Sequence, residues 1–141
     1  MSTTLYTTTA TSTGEGRAGG RATTDDGLLD VTLAIPASMG GPGGATNPEQ
    51  LFAAGWASCF HSALKMIAAQ RRISLADSTV SAEVSLVKEA EALALTAALH
   101  VHIGGADQQA AEALVDAAHE VCPYSVATRG NVPVTLTTTV S

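Results

Sequence analysis

The two cysteines of the sequence are its side chains best suited to covalent chemistry. Cys59 lies in AAGWASCFHSALKM, an apolar stretch typical of a buried helix, and Cys122 lies in HEVCPYSVATRGN. A thiolate is a nucleophile and a metal ligand, whereas a thiol buried among apolar groups is inert because burial raises its pKa. From the residues alone the pair could be two small core side chains, a metal site or a redox couple.

A helix through Cys59 would surround it with apolar neighbours. One turn away on either side would lie Gly55, Trp56, Ser62 and Ala63, with Phe52 and Met66 a further turn out. No helix N-terminus is available in mid-helix to stabilise a thiolate, so an arginine is the natural stabiliser. Composition does not choose among the candidates, which are Arg17, Arg21, Arg71, Arg72 and Arg129.

The histidines do not have the spacing of a metal site. His100 and His102 lie on one face of a predicted strand and His61 is two positions from Cys59, but neither an HxxxH nor a CxxC pattern occurs. We therefore expect no metal ion and no other cofactor.

Composition favours a self-associating globular protein. The 141 residues suggest one domain, residues 1–141, and 45% of them are hydrophobic. Only 14% are charged, against about 25% in an average domain, so we expect part of the surface to be covered by another subunit. A net charge of -6 with 7 Lys and Arg argues against nucleic-acid binding.

Targeting and membrane signals are not evident. The N-terminal residues MSTTLYTTTATSTG have neither a basic nor an apolar signal region. The longest apolar stretch, Leu51 to Ala69, is interrupted by polar residues and is a poor membrane span. We expect a cytoplasmic protein, in which a cysteine pair is more often catalytic or metal-binding than a structural disulfide.

Hydrophobic periodicity predicts an α+β fold of mostly antiparallel sheets, in the order βββ–α–ββ–α–β. The predicted elements are strands at Leu5–Thr11, within GEGRAGGRATTDDG and at Leu28–Ile35, a helix from Pro48 to about Arg72, strands at Val80–Leu86 and Leu93–Ile103, a helix from about Asp107 to Val121 and a strand at Val132–Val140.

The ends of the two predicted helices carry recognisable signals. Asn47 can cap the first helix, Pro48 suits its first position and Gln50 completes a capping-box spacing. The second helix should stop at Cys122, because the residue before Pro123 is pushed away from helical angles. A short turn is expected through PYSVATRG.

Two long segments of the sequence are NPEQLFAAGWASCFHSALK and AAHEVCPYSVATRGN, each with one of the cysteines. Both resemble the signature segments of the organic hydroperoxide resistance (Ohr) proteins of the OsmC-like superfamily, and the upstream GRAGGRATTDDGLLDV is similar to the arginine-bearing segment of that family. The order of the elements agrees over nearly the whole chain. The resemblance implies an intertwined homodimer, with antiparallel sheets wrapped around two long central helices.

The same resemblance implies a thiol peroxidase. Cys59 would be the nucleophile that becomes a sulfenic acid, Cys122 the partner that forms a disulfide with it, and Arg17, oriented by Glu49, the group that stabilises the thiolate. The expected reductant is a dithiol such as dihydrolipoamide. The expected substrate is an organic hydroperoxide, fatty-acid hydroperoxides included, bound by apolar side chains: Phe52, Trp56 and Met66.

Helix geometry adds an argument for the dimer. Glu49 and Cys59 are ten residues apart on one predicted helix, which corresponds to about 15 Å at about 1.5 Å per residue. If both serve one site, the glutamate must come from a neighbouring subunit. An antiparallel pairing of two such helices around a two-fold axis would create two equal sites.

Two departures from the family pattern and two rival functions stay open. The chain has one extra residue at Gly19–Gly20, which makes Arg21 the alternative to Arg17, and Val126 replaces an asparagine common in the second segment, which should change local hydrogen bonding near Cys122. The rivals are a general disulfide oxidoreductase, disfavoured by the absence of CxxC, and a non-catalytic dimer that binds a lipid-like ligand.

Overall fold

A computed structural model describes residues 1–141 and contains two compact units, Met1–Leu51 and Phe52–Ser141. The elements are β1 (Ala10–Thr13), β2 (Arg21–Thr24), β3 (Asp30–Thr32), α1 (Pro48–Gln70), β4 (Ser78–Glu89), β5 (Ala92–Ile103), α2 (Gln108–Val121), α3 (Pro123–Thr128) and β6 (Val134–Val140). The predicted α+β class is confirmed, with one additional short helix, α3. That residues 1–141 form one domain stays a prediction.

The first unit contains a small antiparallel sheet in the order β1-β2-β3. The strand expected at Leu5–Thr11 lies further along the chain, because β2 offers backbone partners only to Ala10–Thr13, and Leu5 is exposed. The third strand is also shorter than the predicted Leu28–Ile35. It ends at Thr32, after which Leu33 makes an isolated bridge to Thr46.

Helix α1 begins as its capping signals predict. The side-chain oxygen of Asn47 accepts the backbone N–H of Gln50 at 2.9 Å, and Pro48 occupies the first helical position. The second half of the capping box does not form, since the Gln50 side-chain oxygen accepts a hydrogen bond from the Thr46 hydroxyl at 2.6 Å instead. The helix ends at Gln70, and Arg72 then takes a left-handed φ of 56°.

The second unit contains a three-stranded sheet in the order β4-β5-β6. Strands β4 and β5 form an antiparallel hairpin, whose turn has Ala90 at a φ of 53°. Strand β6 runs parallel to β5, which the prediction of mostly antiparallel sheets allows. In the sequence, α2 and α3 come between β5 and β6 and return the chain to the end of the sheet where β5 began, which is the connection that parallel pairing requires.

The core of the second unit lies between this sheet and two helices. Alternate residues of β4 are exposed and half-buried, as the period-two pattern predicts. One buried stripe of α1 meets one of α2 and the inner face of β5. The fully or nearly fully buried side chains are Trp56, Phe60, Leu64, Leu99, Val101, Ile103, Leu114, Val115 and Cys122.

Helices α2 and α3 meet at a sharp corner formed by Cys122. The carboxylate of Asp107 caps α2 by accepting the Ala110 N–H at 2.8 Å, and Cys122 has extended angles, φ -60° and ψ 122°, as expected before a proline. The prediction of a short turn through PYSVATRG is wrong for residues 123–128, which form α3. Pro123 lacks an N–H and has a preset φ, so it suits the first position of this helix.

Candidate active site

The structure brings the two cysteines together. Cys59 lies in the middle of α1 and is half-buried, whereas Cys122 is fully buried at the α2–α3 corner. The two free thiols are neighbours, and both the Cys122 thiol and the Tyr124 backbone N–H act on the ionisation of Cys59. A long helix and a proline-terminated corner thus hold two sulfur atoms side by side.

The surroundings of Cys59 act on its ionisation in opposite directions. Burial raises the pKa of the Cys59 thiol, the hydrogen bond from Tyr124 N–H lowers it, and the neighbouring Cys122 thiol raises it further. The net direction is upward, which agrees with the expectation for a thiol amid apolar groups. In the surroundings that the second unit alone provides, the Cys59 thiol is therefore protonated near neutral pH. A nearby positive charge is needed to make it a thiolate.

A cavity opens directly beside the Cys59 thiol. Its volume is about 340 Å³ and its lining is almost entirely apolar, formed by Cys59, Ser62, Ala63, Met66, Val121 and Pro123. Met66, one of the expected substrate-binding residues, lines this cavity and is also exposed at its edge. The space suits an apolar molecule of modest size next to the sulfur.

The two other expected substrate-binding residues lie elsewhere. Phe52 packs between two aromatic rings, with its centroid 5.5 Å from Trp56 and 5.9 Å from Tyr124. Trp56 is fully buried in the core, and neither Trp56 nor Phe52 lines the cavity beside Cys59. Both residues belong to α1, the helix that also carries Cys59.

In the first unit, Arg17 and Glu49 form a two-point ion pair. The Arg17 guanidinium donates to both carboxylate oxygens of Glu49, at 2.7 and 2.8 Å. These hydrogen bonds lower the pKa of the Glu49 carboxyl and raise the pKa of Arg17. The pair therefore stays ionised and its guanidinium is fixed in orientation.

The loop that carries Arg17 requires glycine at position 20. Arg17 lies in a short 3-10 turn, and a side chain on Gly20 would collide with the backbone of Thr13 and Gly16. Gly20 is therefore needed where the loop folds back on itself. The alternative arginine, Arg21, is exposed on β2 and pairs with Asp30. Of the two, Arg17 is the one that contacts Glu49.

A buried polar network behind Cys122 escaped the sequence analysis. The Ser125 hydroxyl accepts the indole N–H of Trp56 at 3.3 Å and lies 2.9 Å from Nδ1 of His119. Burial, together with the charge of Arg129, lowers the pKa of His119, so its ring is neutral and Nδ1 can accept the Ser125 proton. The network links α1, α2 and α3 around Cys122. Nothing in the spacing of these three residues marks them as partners.

The Tyr124 N–H was missed for a different reason. Sequence reasoning treated residues 123–130 as a turn and found no helix N-terminus near Cys59, yet α3 begins at Pro123 and its second residue supplies the donor. A proline at the first helical position is a known start signal and could have revealed it. Val126, the other departure from the family pattern, is exposed on the same short helix, and only its backbone N–H, bonded to the Cys122 carbonyl, takes part in hydrogen bonding.

The histidines take structural partners. His61 bonds to the Ser78 hydroxyl at 2.9 Å, and His102 bonds to the hydroxyls of Thr139 and Ser141. No three His, Cys, Asp or Glu side chains come together in a way that could hold a metal ion. None of the helices combines the length and the apolar character needed to cross a membrane.

Comparison with known proteins places this geometry in context. Residues 41–137 match the family model described as OsmC-like protein. The chain is 47% identical over 135 residues to an organic hydroperoxide resistance protein of Xanthomonas axonopodis pv. citri, with 94% of each chain covered. A crystal structure of an organic hydroperoxide resistance protein from Legionella pneumophila superposes with a TM-score of 0.90 at 53% identity, covering 99% of each chain. That of OhrB from Bacillus subtilis superposes with a TM-score of 0.86 at 45% identity, covering 96% of this chain and 99% of the other.

Proposed function

This chain belongs to the OsmC/Ohr family, and from that premise we propose that it reduces organic hydroperoxides to alcohols as part of an oxidative stress response. The observation that carries the proposal is the pairing of the Cys59 and Cys122 thiols beside an apolar cavity. A thiol pair supplies the two electrons that peroxide cleavage consumes, and an apolar cavity favours an organic peroxide over hydrogen peroxide.

The reaction begins with the Cys59 thiolate. Its sulfur attacks one peroxide oxygen, the O–O bond breaks, and the other oxygen leaves as an alkoxide that takes up a proton to give the alcohol. Cys59 is left as a sulfenic acid. The Cys122 sulfur then attacks the Cys59 sulfur, an S–S bond forms and water leaves. The closeness of the two thiols supports this second step.

Arg17 is the proposed stabiliser of the thiolate and of the developing alkoxide. Burial raises the pKa of Cys59, and the Tyr124 N–H offsets this only in part, so a fixed cation is required. The two-point pair with Glu49 supports this role, since it holds the guanidinium in one orientation and keeps it ionised.

The proposal includes a homodimer with shared sites. Glu49 lies in the first turn of α1 and Cys59 ten residues along it, a rise of about 15 Å. We therefore assign each Cys59 the Arg17–Glu49 pair of the partner subunit. The low charged fraction supports a large covered surface. Mixing Glu49→Ala subunits with Cys59→Ser subunits and refolding them together should restore about one working site per mixed dimer. Mixed dimers without activity would contradict the arrangement.

The electrons are proposed to come from a lipoyl-type dithiol in the cytoplasm. A dithiol reopens the Cys59–Cys122 disulfide by two exchange steps and closes its own ring as it does so. The test is consumption of an organic hydroperoxide with dihydrolipoamide, compared with thioredoxin and with glutathione as sole reductants. Turnover with dihydrolipoamide alone is the expected result. Consumption with none of the three would contradict the peroxidase proposal, and turnover with only another reductant would contradict the lipoyl assignment.

Two other functions make different demands on the thiols. A non-catalytic dimer that binds a lipid-like ligand would leave both thiols unchanged after exposure to peroxide. A general disulfide oxidoreductase would exchange disulfides with unrelated protein substrates. The contact of both thiols with each other favours the peroxidase over the binder, because a ligand cavity alone does not require it.

A further inference from the structure

The corner between α2 and α3 is closed by hydrogen bonds that cross it on both sides of Cys122. His119 lies in the last turn of α2 and Ser125 in the first turn of α3, and Nδ1 of His119 lies 2.9 Å from the Ser125 hydroxyl. Pro123 lacks the N–H that would continue α2 by bonding to the His119 carbonyl. The Arg129 guanidinium donates to that carbonyl instead, at 2.7 Å. These two contacts restrain the angle between the helices.

Trp56 ties the closed corner to the helix that carries Cys59. Its indole N–H donates to the same Ser125 hydroxyl at 3.3 Å, and both side chains are fully buried. Trp56 precedes Cys59 by three residues on α1, so the two side chains are neighbours about one helical turn apart. The polar network behind Cys122 therefore consists of Trp56, Ser125 and His119, and it is anchored one turn from the other cysteine.

The cavity beside Cys59 shows that the corner faces this cysteine. Its lining combines Cys59 of α1 with Val121 and Pro123, the residues on either side of Cys122. Cys122 itself is fully buried in the core cluster against which Cys59 packs. The position of the corner relative to α1 therefore sets how far apart the two sulfur atoms lie.

We propose that the polar network behind Cys122 positions this cysteine for disulfide closure. The network keeps the Cys122 sulfur within reach of Cys59 after Cys59 has become a sulfenic acid, and it takes no part in the attack on the peroxide. The inference rests on the proposed function in assigning these steps to the two thiols. A sulfenic acid that waits longer for Cys122 meets a second peroxide molecule and is oxidised to a sulfinic acid. The network thus also limits over-oxidation of Cys59.

The test separates the two steps of a single turnover in reduced protein. After addition of one equivalent of an organic hydroperoxide, the first step is followed as sulfenic acid on Cys59, trapped with dimedone, and the second as the disulfide with Cys122. Ser125→Ala should form the sulfenic acid at the wild-type rate and close the disulfide at least about tenfold more slowly, because reactions between positioned groups are sensitive to misplacements of about 1 Å. With excess peroxide this variant should accumulate sulfinic acid.

Two substitutions of the half-buried His119 test the same network, even if Ser125→Ala does not fold. His119→Asn places an amide group where Nδ1 lies and should close the disulfide at close to the wild-type rate. The amide of His119→Gln extends one bond further, to the position of Nε2, so this variant should close as slowly as Ser125→Ala. Ile103→Val controls for lost stability, because it removes one methyl group from a fully buried side chain of β5 without touching the corner. Both of its steps should keep their wild-type rates.

Three results would overturn the positioning role. The first is closure at the wild-type rate in folded Ser125→Ala or in folded His119→Gln. The second is an equal closure rate in His119→Asn and His119→Gln, because the hydrogen bond to Ser125 would then not matter. The third is an equal slowing of both steps in Ser125→Ala, or slow closure in Ile103→Val, because either would show a general loosening of the fold.

A second measurement needs no peroxide and therefore stands apart from any failure of hydroperoxide turnover. The fraction of Cys59–Cys122 disulfide is measured at equilibrium with mixtures of glutathione and glutathione disulfide, which gives the effective concentration of one thiol toward the other. Ser125→Ala should lower this effective concentration about tenfold, and Ile103→Val should leave it as in the wild type. An unchanged value in Ser125→Ala would contradict the positioning role, whether or not the wild type reduces hydroperoxides.

Discussion

Replacement of Ser125 by alanine should destabilise the protein through the network behind Cys122. Ser125 is fully buried in α3, where its hydroxyl accepts the Trp56 indole N–H at 3.3 Å and bonds to His119 at 2.9 Å. Ser125→Ala removes both hydrogen bonds and adds no volume. Trp56 is fully buried, so water has no access to replace the lost partner.

The expected loss follows from the two groups left without a partner. An unsatisfied buried donor costs about 1–3 kcal/mol, and the long Trp56 bond places its loss near the lower end of that range. His119 is half-buried and can turn toward water, so its loss adds about 1 kcal/mol or less. The free energy of unfolding should therefore fall by about 2 kcal/mol.

The assay is urea unfolding of the reduced protein at one fixed protein concentration, which keeps any association constant between variants. The control is Ser58→Ala, because the Ser58 hydroxyl is exposed and bonds only to the Ala54 carbonyl of its own helix. It should change the unfolding free energy by less than about 0.5 kcal/mol. If Ser125→Ala proves as mild as this control, the network does not hold the α2–α3 corner and the reasoning is refuted.

Four further outcomes are expected. The pKa of His119 is lowered by burial, so the folded state releases this proton more readily than the unfolded state. The contribution of His119 to the free energy of unfolding should be fully present above about pH 6.5 and should be lost as the pH drops through the lowered pKa. His119→Gln should flatten this fall when urea unfolding is measured against pH. The Glu49 carboxyl should titrate below its ordinary 4.5 by NMR, and Arg17→Ala should return it toward that value. Cys122→Ser should reduce one equivalent of hydroperoxide per subunit and then stall in a steady-state assay, since no disulfide can form. Met66→Glu should lower kcat/KM for an aromatic hydroperoxide at least tenfold while changing that for hydrogen peroxide less, because a carboxylate at the cavity wall is costly to desolvate against an apolar ligand.

The elements whose signals are local could be predicted from the sequence. Asn47 caps α1 with its own side chain, Pro123 stops α2 at the residue before it, and the alternation in β4 reports which face is buried. Each of these depends on residues within a few positions of one another. The pairing of Cys59 with Cys122 was expected only because both segments resemble a known family.

The features that depend on distant contacts could not be predicted in the same way. Strand β6 is parallel to β5 because of the path of the chain through α2 and α3, which periodicity does not record. Strand β1 lies later in the chain than predicted, because β2 provides backbone hydrogen-bond partners for only four residues, Ala10–Thr13. The partners of Ser125 come from two other helices. Only the folded chain reveals such pairs.

The central claim is that Cys59 attacks the peroxide and Cys122 closes a disulfide onto it. The most direct measurement adds one equivalent of an organic hydroperoxide to reduced protein, counts the remaining thiols and maps the products by peptide mass spectrometry. The account predicts loss of both thiols in each subunit, a Cys59–Cys122 disulfide in the wild type and a sulfenic acid on Cys59 in Cys122→Ser. Two intact thiols, or a Cys59→Ser variant that consumes the peroxide as fast as the wild type, would contradict it.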